Sequence, residues 1–216
     1  PRLVCVEQTH NFGGGAVWSL EELKAIHDRA REHGLALHMD GARLMNAVVA
    51  SGTPTREFAA CVDSLWIDFT KGLGAPIGAV LAGSHEFITE ARRYKHVFGG
   101  AFRQAGVAAA GCLYALDHHV KRLADDHDNA RRLAEGLSEI KGITLRWPAP
   151  ESNILFFDVD GLGMDNKTFY ARCLEKGVRF SAVGRAVRAV THLDVSRSDI
   201  DAALEAVKIV AEEPRR

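Results

Sequence analysis

The stretch Leu35-Ala-Leu-His-Met39-Asp40-Gly41-Ala42-Arg43-Leu44, continuing through Val48-Val49 to Gly52, decides the fold. Leu35–Met39 is a short, mostly apolar run that stops at an acid, the pattern of a buried strand. Gly41 leads into a helix with Leu44, Val48 and Val49 inward, and Gly52 stops it. Working outward, Ser19-Leu-Glu-Glu22 is a capping box that opens a helix with Leu20, Leu23 and Ile26 on one face, and Gly34 closes it. Before it, Leu3-Val-Cys-Val6 reads as another buried strand. After Gly52, Thr53-Pro54 opens a short helix, with threonine as cap and proline in the first turn. Ser64-Leu-Trp-Ile67 and Gly78-Ala-Val-Leu-Ala82 are further strands. Strand alternating with helix predicts an α/β domain with a mainly parallel sheet.

From Arg103 an Ala-rich helical stretch runs through His118-His119 towards Ile140. It exceeds one ordinary helix, so a break is expected within it. Beyond the Gly142 turn and the Trp147-Pro-Ala-Pro150 loop the pattern changes. Asn153–Val159 is a strand, Asp165 caps a helix ending near Gly177, Val187–Leu193 is a strand, and Ser196-Arg-Ser-Asp199 opens a last helix. The expected division is a larger domain over 1–125 and a small α+β domain over 126–216.

The chain has 216 residues, enough for one domain or one and a part. Lys and Arg number 27 against 28 Asp and Glu, which argues against nucleic acid and against a polybasic membrane patch. No apolar run approaches the roughly 20 residues of a membrane helix, so no membrane partner is expected. Cys5, Cys61, Cys112 and Cys173 are scattered, fitting neither a zinc site nor a disulfide scaffold. A reducing, cytoplasmic compartment and no metal are the expectations. Pro1 stands almost directly before a buried strand, so a preceding segment of a larger protein is expected to be missing.

The chain lacks the P-loop, the strand-to-helix G-x-G-x-x-G, the G-x-S-x-G elbow and H-E-x-x-H. What remains are two strand ends. Asp40 closes one, where position alone favours a helix cap. A second strand ends in Asp68-Phe-Thr70-Lys71, followed by Gly-Leu-Gly-Ala-Pro-Ile-Gly78. Lysine is rarely buried without a partner, and the glycines let backbone approach a ligand, although from Lys71 alone a snorkelling surface lysine above a Gly-Pro turn is the better reading. Together they change the balance. A lysine amine forms Schiff bases, and pyridoxal phosphate chemistry needs a carboxylate at the pyridine nitrogen. Ligands in open α/β sheets gather at these strand ends.

At this point the sequence resembles the pyridoxal-phosphate-dependent L-threonine aldolases of the β-eliminating lyase superfamily. The resemblance is carried by Glu7-Gln-Thr-His-Asn11, Leu35–Leu44, Thr70–Gly78, Gly99-Gly-Ala-Phe-Arg-Gln104 and Val187-Arg-Ala-Val-Thr-His-Leu-Asp-Val-Ser196, in the family's order. It implies a large domain of the aspartate aminotransferase type (fold type I), incomplete at its N-terminus, and a small C-terminal α+β domain. The implied reaction is retro-aldol cleavage of threonine or allo-threonine to glycine and an aldehyde. Another lyase or aldolase of the superfamily, acting on phenylserine or 3-hydroxyaspartate, or a truncated chain without catalysis, are the alternatives.

By motif position the resemblance makes Lys71 the cofactor-binding lysine and Asp40 the partner of the pyridinium nitrogen. Arg43 would help hold substrate or the cofactor's ring oxygen, Arg188 would clamp the substrate carboxylate, and His10 would be a base near the hydroxyl. Thr70 takes the place of the family's serine before the lysine, keeping the hydroxyl, and Arg103 would reach a cofactor phosphate. Read without the resemblance, Arg188 is a solvated strand residue, His10 a structural loop histidine and Arg103 a helix-start residue. His118, His119 and His127 read as solvated, and His192 as structural. Ala101 and Phe102 replace the usual Gly-Met of the glycine-rich loop and bear on the pocket wall or subunit contact. The family's glycine-rich phosphate turn and its ring-stacking histidine have no counterpart here. A homodimer or homotetramer is implied, because fold type I sites form between subunits.

Overall fold

Both hydrophobic periodicities are present in the computed structural model, which describes residues 1–213, and they sort into two compact units. The first comprises Pro1–His10 and Val17–Leu123, the second Asn11–Ala16 and the chain from Ala124.

In the first unit β1 (Leu3–Glu7), β2 (Ala36–Gly41), β3 (Ser64–Asp68) and β4 (Ala79–Gly83) lie side by side in that order. The first three are parallel and β4 is antiparallel to β3. Between them run α1 (Leu20–Glu32), α2 (Leu44–Ser51) and α3 (Thr55–Ala59). Successive strand residues face opposite sides, so Val6, Leu37, Met39 and Leu65 share one face and pack with Leu23, Leu44, Ala47 and Phe58 of the helices. The register sets Glu7, Asp40 and Trp66 in a row across the other face. The capping box of α1 forms as read: the Ser19 hydroxyl accepts from Glu22 N–H at 3.1 Å, and the Glu22 carboxylate accepts from Ser19 N–H at 2.8 Å.

The chain continues into α4 (His85–Val97) and α5 (Gly106–His118). Two corrections apply here. Pro54, not Thr53, occupies the cap position of α3 and no side chain caps that helix. Helix α4 has no counterpart in the sequence reading, although Ser84 caps it and Phe87, Ala91 and Tyr94 recur along it at helical spacing; none of its residues is buried.

The Ala-rich stretch does break, between α5 and α6 (Leu123–Ser138). The second unit pairs β5 (Thr144–Leu145), β6 (Ile154–Asp158), β7 (Ser181–Val183) and β8 (Ala186–Val190) antiparallel, in the order β5-β6-β8-β7. With α6, α7 (Asn166–Glu175) and α8 (Arg197–Glu212) this is an α+β unit. Its core joins Leu133 and Leu137 of α6, Phe157 of β6, Phe169 of α7, Val187 of β8 and Val207 of α8. Asp165 caps α7 through the Thr168 N–H, and Ser196 with Asp199 forms the capping box of α8. Among the described residues, no helix is long and apolar enough to cross a membrane.

Candidate active site

Asp40 is the penultimate residue of β2 and half-buried. One carboxylate oxygen accepts the Ala42 N–H at 3.0 Å, and the other has no hydrogen-bond partner among the described residues. The turn that carries it is tied to the end of β1. Gln8 N–H donates to the Asp40 carbonyl at 2.8 Å and Arg43 N–H donates to the Gln8 carbonyl at 3.3 Å. The Gln8 side chain is fully buried and exchanges two hydrogen bonds with the Trp18 backbone, at 2.9 and 3.1 Å. A carboxylate on so fixed a turn keeps its direction with little entropic cost.

Lys71 lies three residues past β3. Its ammonium is 3.1 Å from Asp68 Oδ2 and 5.3 Å from the centroid of the Trp66 ring. Trp66 is the cross-strand neighbour of Asp40. The amine and the Asp40 carboxylate therefore share one face of the sheet, at the carboxyl ends of parallel strands. The loop behind the lysine closes on itself: Gly74 N–H donates to the Lys71 carbonyl at 2.8 Å and Ala75 N–H to the Phe69 carbonyl at 2.8 Å. Buried Phe69, Leu73 and Ala75 anchor it.

The other Asp68 oxygen accepts both the N–H and the hydroxyl of Thr70, at 2.8 and 2.7 Å. Burial pushes the Asp68 carboxyl upward, but those two donors and the Lys71 ammonium outweigh it and hold the group below the usual carboxylate range. Thr70 spends its one hydroxyl proton on Asp68, so it has none to give an anion while that bond stands.

The remaining expected residues are placed less tightly. Half-buried Arg43 precedes the first turn of α2, where its carbonyl accepts from Asn46 N–H at 2.9 Å. His10 is exposed, with Nε2 3.6 Å from a Glu7 carboxylate oxygen. Arg103 lies in an exposed turn before α5, and no hydrogen bond or ion pair ties it to Asp40, Arg43 or Lys71. The Thr9 hydroxyl, next to His10, is buried without a partner.

In the second unit, Arg188 of β8 is half-buried, and its Nη1 donates to the Asn11 side-chain oxygen at 2.9 Å. Its Nε is buried without a hydrogen-bond partner. The chain after β8 is pinned by buried polar groups. The Thr191 hydroxyl donates to the Asp126 carbonyl at 2.6 Å, and Asn153 Nδ2 to the Thr191 carbonyl at 2.8 Å.

Of the histidines read as solvated, only His118 is exposed. His119 is half-buried with Nδ1 2.5 Å from the Leu73 carbonyl, and His127 is 3% exposed. His127 belongs to the buried stripe of α6 with Leu123, Ala130 and Ala134, a spacing that the sequence displays. Two residues the sequence reading passed over act directly on the candidate groups: Asp68 on Lys71 and Asn11 on Arg188. The signal for Asp68 was a carboxylate three residues before the lysine and two before a hydroxyl, the pattern of an Asx turn.

Comparison with known proteins bears on this arrangement. The family described as beta-eliminating lyase matches residues 1–160. Low-specificity L-threonine aldolase 1 of Arabidopsis thaliana is 36% identical over 224 residues, covering 100% of this chain and 62% of that protein. The low specificity L-threonine aldolase of Escherichia coli (strain K12) is 40% identical over 199 residues, covering 92% and 57%. Among solved structures, Leishmania major threonine aldolase superposes with a TM-score of 0.78 at 23% identity, covering 98% of this chain and 61% of that one. The chain thus spans about three fifths of the length of these relatives.

Proposed function

The chain belongs to the beta-eliminating lyase family and has the fold type I architecture, and from that premise we propose that it serves as a pyridoxal-phosphate-dependent aldolase, cleaving threonine or allo-threonine to glycine and an aldehyde. The observation that carries this reading is the placement of the Lys71 amine and the Asp40 carboxylate on one face of the parallel strand ends. The donor set fits the ring end of the cofactor. An amine is available for its carbonyl, and a carboxylate with one oxygen fixed by Ala42 N–H has the other open for a pyridinium N–H. When bound, pyridoxal phosphate supplies that carbonyl and a ring that withdraws electrons from the substrate α-carbon.

The chain's own residues do the rest. Asp40 holds the proton at the pyridine nitrogen. Lys71 supplies the amine that the substrate's amine displaces, and takes its place again at the end of the cycle. Arg188 binds the substrate carboxylate with its fork, steadied by Asn11, and Arg43 assists in orienting substrate. His10 removes the hydroxyl proton, directly or through a water. Arg103 reaches towards the phosphate, while Thr70 acts through Asp68.

Two further parts of the proposal concern setting. A second copy of the chain covers the exposed apolar side chains of the first unit, among them Phe98, Phe102, Val107 and Leu113. The compartment is the cytoplasm, in keeping with four free cysteines.

The test is an absorbance spectrum of the purified chain with added pyridoxal phosphate, before and after borohydride reduction. A yellow band that becomes fixed on the Lys71 peptide and is lost in Lys71→Ala supports the reading. Full turnover of threonine by Lys71→Ala would refute it. Release of pyruvate and ammonia in place of glycine would replace the aldolase with an eliminating lyase.

A further inference from the structure

Asp68 is a carboxylate for which the proposed reaction has so far been given only the anchoring of Thr70. It ends β3 with 13% of its side chain exposed, and one oxygen is locked by the N–H and hydroxyl of Thr70. A carboxylate so held cannot follow a moving partner; the partner must come to it. Lys71 does so, folding its four-carbon stem back until the ammonium rests 3.1 Å from the second oxygen. Trp66 stands two residues before Asp68 on the same strand face, and its ring lies 5.3 Å from the same ammonium. Both contacts reward the charged amine. The ion pair needs the charge, and a ring face attracts a cation but gives little to a neutral amine.

Reaction with a carbonyl needs the other form. The ammonium must first release a proton to water. The nitrogen lone pair then attacks the carbonyl carbon, a C–N bond forms, and the oxygen leaves as water. Asp68 is a poor acceptor for that proton, since the donors around it keep the carboxyl below the usual range. Its effect is to hold the amine, not to deprotonate it. We propose that Asp68 is a positioning residue: the resting counter-ion that, with the Trp66 ring, parks Lys71 and slows its engagement of a carbonyl. The proposal rests on the reading of Lys71 as the carbonyl-binding amine. The Lys71 side chain is 36% exposed, so solvent screens the pair, and its removal is expected to change the rate only roughly two- to fivefold.

The experiment uses the whole chain without cofactor and reads reductive labelling with cyanoborohydride by peptide mass spectrometry, as the ratio of Lys71 to Lys121 in one sample. Formaldehyde, a carbonyl too small to need a binding site, tests the proposal. The ratio should rise roughly two- to fivefold in Asp68→Asn and also in Asp68→Ser, which keeps a local acceptor for Thr70 N–H. An unchanged or lower ratio in both variants would overturn it. Pyridoxal phosphate as the carbonyl tests the underlying reading. Preferential labelling of Lys71 over Lys121 supports that reading, and its absence in parent and variants would remove the reading and the proposal with it.

Discussion

Changing Gly41 to Ala tests whether the face that carries Asp40 is held as tightly as its contacts imply. Gly41 ends β2 and pairs with Ile67 of β3. A methyl group added there would lie 2.4 Å from the Trp66 carbonyl oxygen and 3.4 Å from Cβ of Leu44. Ordinary carbon-to-oxygen contacts begin near ~3.3 Å, so the overlap is about 1 Å. The obstruction is backbone in the middle of a sheet, which no rotamer change relieves. Overpacking of this kind costs about 1–3 kcal/mol, and the upper half of that range is expected because β2 must move away from β3. Gly106→Ala is the matched control. A methyl group at the start of α5 meets nothing within 4 Å, so the same chemical change should stabilise by about 0.5 kcal/mol. Urea unfolding of both variants gives the stabilities, and hydrogen exchange at Met39 and Asp40 locates the damage. A Gly41→Ala chain within about 0.5 kcal/mol of the parent, with unchanged exchange at those amides, would refute the reasoning.

Two other outcomes follow from groups outside that turn. Burial, reinforced by the Arg131 guanidinium, holds His127 at about 4 against an ordinary 6.5. Between those values the unfolded chain binds the proton and the native chain does not, so stability is full above pH 6.5 and falls as pH drops towards 4, by about 2 kcal/mol at pH 5. Urea midpoints at pH 7 and pH 5 measure the loss, and His127→Gln should remove most of that difference. Asn11→Ala releases the Arg188 fork. Phenylglyoxal modification of Arg188, followed by mass spectrometry, should then accelerate roughly tenfold, the equivalent of one hydrogen bond to a charged group at the weak end of its range, about 1.5 kcal/mol. An unchanged rate would mean that the bond does not hold the guanidinium.

What the sequence made legible was local. Ser19 with Glu22, Asp165 and Ser196 with Asp199 declare their helix starts, since capping is decided within four residues. Asp40 and Lys71 were legible because each follows an apolar strand at a place where such sheets bind ligands. Register was not. That Trp66 is the neighbour of Asp40 depends on strand pairing, and so does the approach of Lys71 to that row. The antiparallel direction of β4 is equally silent, because Ala79–Gly83 has the same composition in either direction. Asp68 was in plain view within the lysine motif, yet its partner choice needed a folded turn to appear. His127 was misread for a different reason: its residue type suggested water while its spacing placed it on the buried stripe of α6.

The six residues Asn11–Ala16 belong to a unit whose other members begin at Ala124. On the ribosome they emerge more than a hundred residues ahead of the rest of their unit. The Ser152 hydroxyl that binds the Gly15 carbonyl follows it by 137 positions, and Arg188 follows Asn11 by 177. The second unit therefore has no contiguous gene segment of its own. A genetic cut between residues 123 and 124 yields a C-terminal piece that lacks its first strip of chain, so Ser152 loses the Gly15 carbonyl and Arg188 loses Asn11. Supplying Asn11–Ala16 as a separate peptide would replace a tethered encounter with a bimolecular one, and rearranging the order of the chain so that this strip precedes Ala124 is the way to obtain the unit alone.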